Sequence, residues 1–414
     1  MSAELEETYD GNPPMPKNDE VYEAVRECLP HRKYGILPIA AIYGKNASGK
    51  SNLINTLHDV SDDILDKTVA RASLLSSHSP FQKIVNDRQF NLCPPEKRND
   101  RLQYHICMVI GNTEYTLSYA LVPEGIEEEE LTRHCLEPNN SPELLYKRYN
   151  FQEYEPLKES TMAKHISLMK ESNEKRLWFS RIAPAHTGLQ HVYQWFQYGY
   201  ESTRMIKHPA RSEVFSVLAE MIETDKSERM KNWHKQLLLF LRCLDSSIID
   251  IRSSKRGEYY ALEIYHNTID EENVPLGIEF ESEGTRKLIV EFVRIYNSLV
   301  INGKPYVYDE LDSALHPIAF WQIVRMFNDP KINIKNAQLI FTAHDTIALD
   351  SNILRRDQVH IVDKNEYSVS TVKRLSEMEH VQKYSAMEYE FRSGYYGSFP
   401  EKFNQSFEPI GEDK

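Results

Sequence analysis

Ile36 to Leu57 reads ILPIAAIYGKNASGKSNLINTL, and its interpretation decides the fold. The apolar run ILPIAAIY has the look of a buried strand, and SNLINTL opens a segment with apolar residues at helical spacing. Between them, Gly44, Gly49, Lys50 and Ser51 satisfy GxxxxGK[ST]. A strand, a glycine-bearing loop and a helix in that order predict a phosphate-binding loop. The two glycines let consecutive backbone N–H groups turn toward a polyphosphate, and the helix presents its positive end to the same anion. Lys50 is then expected to reach the β and γ phosphates, and Ser51 to hold Mg²⁺ through its hydroxyl. Asn46, Ser48 and Asn52, in and beside the loop, complete the candidate nucleotide-binding residues of this segment.

Working outward, the chain has 414 residues, more than the ~250 to 300 at which one core usually stops growing. Two lobes, or a core with a large insertion, are therefore expected. A net charge of −13 argues against a protein that coats nucleic acid, although it leaves room for a local basic groove. No apolar stretch approaches ~18 residues and the N-terminus is acidic, so neither a membrane span nor a signal peptide is expected. The five cysteines, Cys28, Cys93, Cys107, Cys135 and Cys243, show no CxxC spacing. A disulfide or metal framework is not expected from them, and a reducing cytoplasm is the simplest location.

The polar N-terminal 35 residues offer no clear strand ahead of the loop. After the loop, Leu53, Ile54, Leu57, Val60, Ile64 and Leu65 recur at helical spacing and predict a helix with one inward face. Leu102 to Val122 alternates around Gly111-Asn112, which predicts a β-hairpin. Residues 124–160 are acidic and turn-rich. From about 161 to 245 the pattern is helical, predicting an insertion between a lobe at 1–160 that carries the phosphate loop and a second lobe at 246–414. Trp178, Trp195 and Trp233 are expected to anchor the packing of those helices. Strand character returns at Ile248 to His266, then alternates with helices, so the fold class is α/β with a mixed, mainly parallel sheet.

Downstream, Tyr306 to Tyr308 form an apolar strand that delivers Asp309 and Glu310. Ligands of open α/β sheets sit beyond the carboxyl ends of the strands, where this pair and the loop would meet. Asp309 is expected opposite Ser51 on Mg²⁺, and Glu310 is the candidate acceptor of a proton from an attacking water. LDSALHP follows with Asp312, and AQLIFTAHD ends a later strand at His344.

In this order the segments resemble the ABC-type ATPases, whose Walker A loop, signature, Walker B, D-loop and switch histidine follow the same sequence. Glu281 to Arg286, ESEGTR, resembles the signature turn, so that Ser282 and Gly284 would cap a nucleotide bound to another subunit. More closely, GKNASGKSNL, EGTRKL, YDELDSALHP, QLIFTAHD, RRDQVHIV and FRSGYYGSFP are similar to the AAA-type, ABC-fold ATPases of prokaryotic abortive-infection and anti-phage systems. RloA-like proteins, the ATPase subunit of PARIS-type systems and the ATPase part of the OLD family are of this kind. The similarity runs from about Ile36 to Pro400 and includes RLWFSRIA in the helical stretch.

The resemblance implies ATP and Mg²⁺ as ligands, catalysis by Glu310 and His344, and a contribution of Asp312 to nucleotide binding. It also implies a homodimer or higher oligomer with composite sites, and a separate effector protein such as a nuclease or toxin; nothing indicates nucleic acid or membrane as a partner. Three departures stand against it. The family's opening NFRSF-like strand is not evident, so the chain is expected to begin after it. Gln82 in PFQK is a weak match for the glutamine loop, and the OLD family's Toprim nuclease is not expected in the residues after Pro400. A DNA-repair ATPase of the SMC or RecF kind is the first alternative, disfavoured by the acidic charge and the lack of heptads. A scaffold that holds ATP without turnover is the second.

Overall fold

Ile39 to Gly44 are buried without a break, because this strand has neighbours on both edges and cover on both faces. Such strands carry continuous apolar sequence, and IAAIY is one. The computed structural model describes residues 2–4, 34–67, 101–137, 140–151, 176–198, 211–242, 245–268, 273–313, 315–365, 369–378 and 386–396, with scattered residues between them.

Strand β3 (Ile39–Gly44) lies inside a sheet of six described strands. Its parallel neighbours are β14 (Leu339–Thr342) and β15 (Val359–Lys364). Beyond β14 come β13 (Tyr306–Tyr308) and the two-residue β9 (Glu201–Ser202), both parallel. Beyond β15, β16 (Ser370–Arg374) closes the edge as an antiparallel hairpin. The sheet is thus mixed and mainly parallel, as the alternation of strand and helix patterns predicts.

Helix α1 (Lys50–Ile64) follows the loop and buries Ile54, Val60 and Ile64, with His58 and Ser61 beside them. Leu57, expected inward, is 40% exposed, so the buried stripe is narrower than the apolar spacing implied. On the other side of the sheet core stand α6 (Glu283–Tyr296) and α7 (Pro317–Asn328), whose Phe292, Phe320 and Phe327 are fully or nearly fully buried.

A second sheet covers the far end of α1. It holds β4 (Leu102–Ile110), β5 (Thr113–Val122), β6 (Gly125–Cys135), β7 (Glu143–Tyr149) and β8 (Glu153–Tyr154), joined antiparallel in chain order. Gly111-Asn112 forms the turn of the β4–β5 hairpin, as expected from the sequence. The acidic segment after it forms strands, which its composition concealed. Glu129 breaks the apolar alternation of GIEEEELTRHC because it points inward. There it accepts from Tyr146 Oη at 2.6 Å and from the backbone N–H groups of Trp178 and Phe179, both at 2.8 Å. Arg148, equally buried, stands 3.0 Å away. A buried charge is tolerated where paired and hydrogen-bonded in this way.

The helical stretch divides between two cores. Helices α2 (Trp178–Ile182) and α3 (Gln190–Tyr198) pack with the five-stranded sheet and α1. By contrast, α4 (Arg211–Thr224) and α5 (Glu228–Arg242) pack in the main core, over β10 (Ile248–Arg256) and β11 (Tyr259–His266). These two strands and β12 (Val274–Gly277) make a three-stranded antiparallel sheet that leads into α6. Trp178 and Trp233 are buried anchors of the two cores, and Trp195 is partly buried at the edge of the first. Ahead of the loop, β1 (Ser2–Glu4) pairs antiparallel with β2 (Tyr34–Ile36), although no strand was evident there in the sequence. Helix α8 (Met387–Arg392) closes the described chain near the loop.

One histidine gives this fold a pH signature. His360, on β15 opposite Arg374, is held down to about 4 from the ordinary 6.5 by burial and then by the Arg374 charge. Its folded pKa lies below the unfolded one, so its neutral form is the one the fold accepts. Stability is complete above pH 6.5 and falls as the pH drops toward 4, by about 2.5 kcal/mol at pH 4.5. Urea titrations at pH 7 and 4.5 are expected to show that loss in wild type and most of it absent in His360→Gln. Equal losses in the two proteins would contradict the assignment.

Candidate functional site

Strands β3, β14 and β13 run parallel side by side, so their carboxyl ends open on one region. Gly44 leaves the first, Ala343 and His344 the second, and Asp309 and Glu310 the third. The loop after β3 needs both of its glycines. A Cβ on Gly44 would stand 2.2 Å from the carbonyl oxygen of Val362 in β15. Gly49, with φ 107°, caps α1 in the left-handed region.

Lys50 folds back over the loop. Its Nζ donates to the carbonyls of Gly44 at 2.8 Å and Lys45 at 3.0 Å, and the residue is 6% exposed. Burial lowers its pKa, while the nearby charges of Glu310, Asp309 and Asp312 oppose that shift. Ser51, next on the helix, donates to Asp309 Oδ1 at 3.2 Å. The hydroxyl of Thr342 donates to the same oxygen at 2.6 Å and accepts from the Glu310 N–H at 2.7 Å. Thr342 therefore fixes both carboxylate residues at the strand end. Thr342 lies inside the QLIFTAHD motif, but the sequence reading gave its hydroxyl no role.

Glu310 adopts φ 56°, a left-handed conformation uncommon for a residue with a side chain. Its carboxylate is about half exposed, with Oε1 3.8 Å from Nε2 of His344. Asp312 faces inward under the histidine turn, where Oδ2 accepts from the N–H groups of His344 and Asp345 at 2.8 and 2.7 Å. Its described contacts thus hold the His344 backbone. Ser48 is buried and its carbonyl accepts from Ser370 Oγ at 2.6 Å, a contact from β16 that the sequence did not suggest. Asn46 and Asn52 are exposed on the loop and the first turn of α1. Gln82 lies outside the described residues.

Ser282 and Gly284 stand elsewhere, at the start of α6. Ser282 caps that helix, accepting from the Thr285 N–H at 3.0 Å, and is exposed. Lys287, one turn on, donates to the Ser313 carbonyl and ties this helix to the turn after Asp312.

The arrangement fits a nucleotide with a divalent cation. Gly44 and Gly49 let the loop pack directly against Val362 and Ser370, where a Cβ would collide. Ser48 Oγ and Asp312 Oδ1 are buried without a hydrogen-bond partner among the described residues. Ser51 Oγ and Asp309 Oδ1 offer hard oxygen donors of the kind Mg²⁺ takes one or two at a time beside phosphates. Among the described residues, no group of three or more His, Cys, Asp or Glu could hold a metal by itself.

Comparison with known proteins agrees with the loop geometry. A family model described as "AAA domain, putative AbiEii toxin, Type IV TA system" matches residues 39–350. The chain belongs to that family. It is therefore a P-loop ATPase fold of the AAA/ABC type, and the match begins at β3 and ends just past the histidine turn. Among solved structures, the SMC head domain from Thermotoga maritima is similar at 16% identity, with a TM-score of 0.38 over 85% of this chain and 95% of that one. An Smc head from Pyrococcus furiosus, with an extended coiled coil and bound to the C-terminal domain of ScpA, is similar at 16% identity and a TM-score of 0.37, over 82% of this chain and 91% of that one. No curated protein matches in sequence. Among the described residues, no helix is long and apolar enough to cross a membrane.

Proposed function

We propose that this chain binds ATP with Mg²⁺, hydrolyses it, and serves as the nucleotide-driven switch of an anti-phage defence system that controls a separate effector. The observation that carries the reading is the shared oxygen of Asp309, held by the hydroxyls of both Ser51 and Thr342 immediately beside Glu310. In that geometry, the backbone N–H groups of the loop and the start of α1 would hold the phosphates, with Lys50 swinging from the Gly44 and Lys45 carbonyls to the outer ones. Ser51 and Asp309 would hold the cation, which offsets phosphate charge when bound. Glu310, its backbone fixed through Thr342, would take a proton from the attacking water on a carboxylate oxygen. His344, with its turn held by Asp312, would orient the outer end of the site.

Composite sites between two copies are part of this reading, on the resemblance of Glu281 to Arg286 to the signature turn. A serine hydroxyl at a helix N-terminus is an anion site, and it would face a nucleotide held by a second chain. The defence role rests on the family's description and on the resemblance to RloA-like, PARIS-type and OLD-type ATPases. Ser282→Arg is expected to bind ATP like wild type as a monomer and to lose ATP-dependent dimerisation, measured by light scattering. Dimers forming as in wild type would contradict the composite site.

A further inference from the structure

Helix α8, the last among the described residues, sits against the loop strand. Phe391 meets Tyr43, the residue before Gly44, edge to face at 5.8 Å between ring centroids. Met387, at the start of the helix, is buried in the main core. These contacts anchor α8 and bring Arg392 to the wall of a cleft whose other walls include Gly44, Asn46, His344 and Thr346. Arg392 Nε donates to Thr346 Oγ1 at 2.9 Å, and its terminal nitrogen pairs with Glu388 at 2.9 Å. Thr346 in turn donates to Glu388 at 3.1 Å. The Arg392 side chain is 65% exposed.

We infer that Arg392 is a specificity-determining contact to the terminal phosphate of a nucleoside triphosphate held in the same chain, an inference that rests on the ATP-binding reading above. With phosphates held by the amides at the start of α1, the cleft that Arg392 lines together with Lys45, Asn46 and His344 would lie beside them, within reach of the terminal one. An exposed i,i+4 ion pair is weak and easily exchanged, whereas a guanidinium on phosphate makes two parallel charge-assisted bonds. Glu388 is then a resting partner that the phosphate replaces. The exchange couples the presence of the third phosphate to the position of α8.

Equilibrium binding of ATP and ADP with Mg²⁺, by calorimetry, tests this in wild type, Arg392→Ala, Glu388→Gln and Lys50→Ala. Arg392→Ala is expected to weaken ATP at least tenfold and ADP less than twofold. Glu388→Gln, which frees Arg392, is expected to tighten ATP severalfold with ADP unchanged, a gain that a purely structural role would not produce. Equal losses for both nucleotides, or none, in Arg392→Ala would overturn the inference, as would unchanged ATP affinity in Glu388→Gln. If wild type binds neither nucleotide, the ATP reading itself fails and this one with it. A wild type that binds both, lost in Lys50→Ala, keeps the two apart.

Discussion

Glu310→Gln is expected to bind ATP and Mg²⁺ like wild type and to release phosphate about 10² to 10⁴ times more slowly, the usual worth of a positioned general base. The change keeps the size of the side chain and removes its capacity to accept a proton. It also leaves intact what sets the position of this residue. The Glu310 N–H donates to Thr342, a backbone contact that the substitution keeps. The side chain is about half exposed with His344 3.8 Å away, so its loss leaves no buried charge unpaired. Steady-state phosphate release, with nucleotide binding measured in parallel, separates the chemistry from affinity. Turnover within twofold of wild type would remove Glu310 as the proton acceptor.

Lys50→Ala is expected to weaken ATP by about ten- to a hundredfold, since a charge-assisted bond to phosphate is worth about 1.5–3 kcal/mol and Lys50 reaches the site as a buried cation. The loop itself should survive. Gly44 and Gly49 set its path, and Gly44 and Lys45, whose carbonyls the substitution releases, line the cleft. Calorimetric binding with a thermal melt as folding control measures the effect, and unchanged affinity in a folded variant would contradict the role of the loop. In cells, phage plating extends the same substitution to the proposed biology. Protection that depends on the protein and disappears with Lys50→Ala supports the defence role, and equal plating with and without the protein contradicts it.

Much of this architecture was legible because local chemistry and burial agree. IAAIY must be a strand covered on both faces, GKNASGKS admits few backbone paths, and Gly111-Asn112 between alternating segments is a turn by its own preference. Asp309 and Glu310 could be anticipated at the loop because parallel strands share one carboxyl edge. Three features were not legible, each for a physical reason. Strands β6 and β7 hide in acidic sequence because Glu129 is satisfied internally by Arg148, Tyr146 and two backbone N–H groups. The helical stretch looks like one insertion because helical periodicity tells which face is buried, not against what; α2 and α3 join one core, α4 and α5 the other. Ser370 and Arg392 reach the loop from positions more than three hundred residues away along the chain, a separation that local pattern does not bridge.

On the proposed function, ATP closes two copies of this chain on each other and hydrolysis opens them. The most direct test is the solution mass of wild type and Glu310→Gln, with and without ATP and Mg²⁺, alongside phosphate release by wild type. Glu310→Gln is expected to accumulate as a dimer only with ATP and Mg²⁺, while wild type releases phosphate and returns to the monomer. One mass for both proteins under every condition, with no phosphate released, would contradict it and leave ATP as a static ligand.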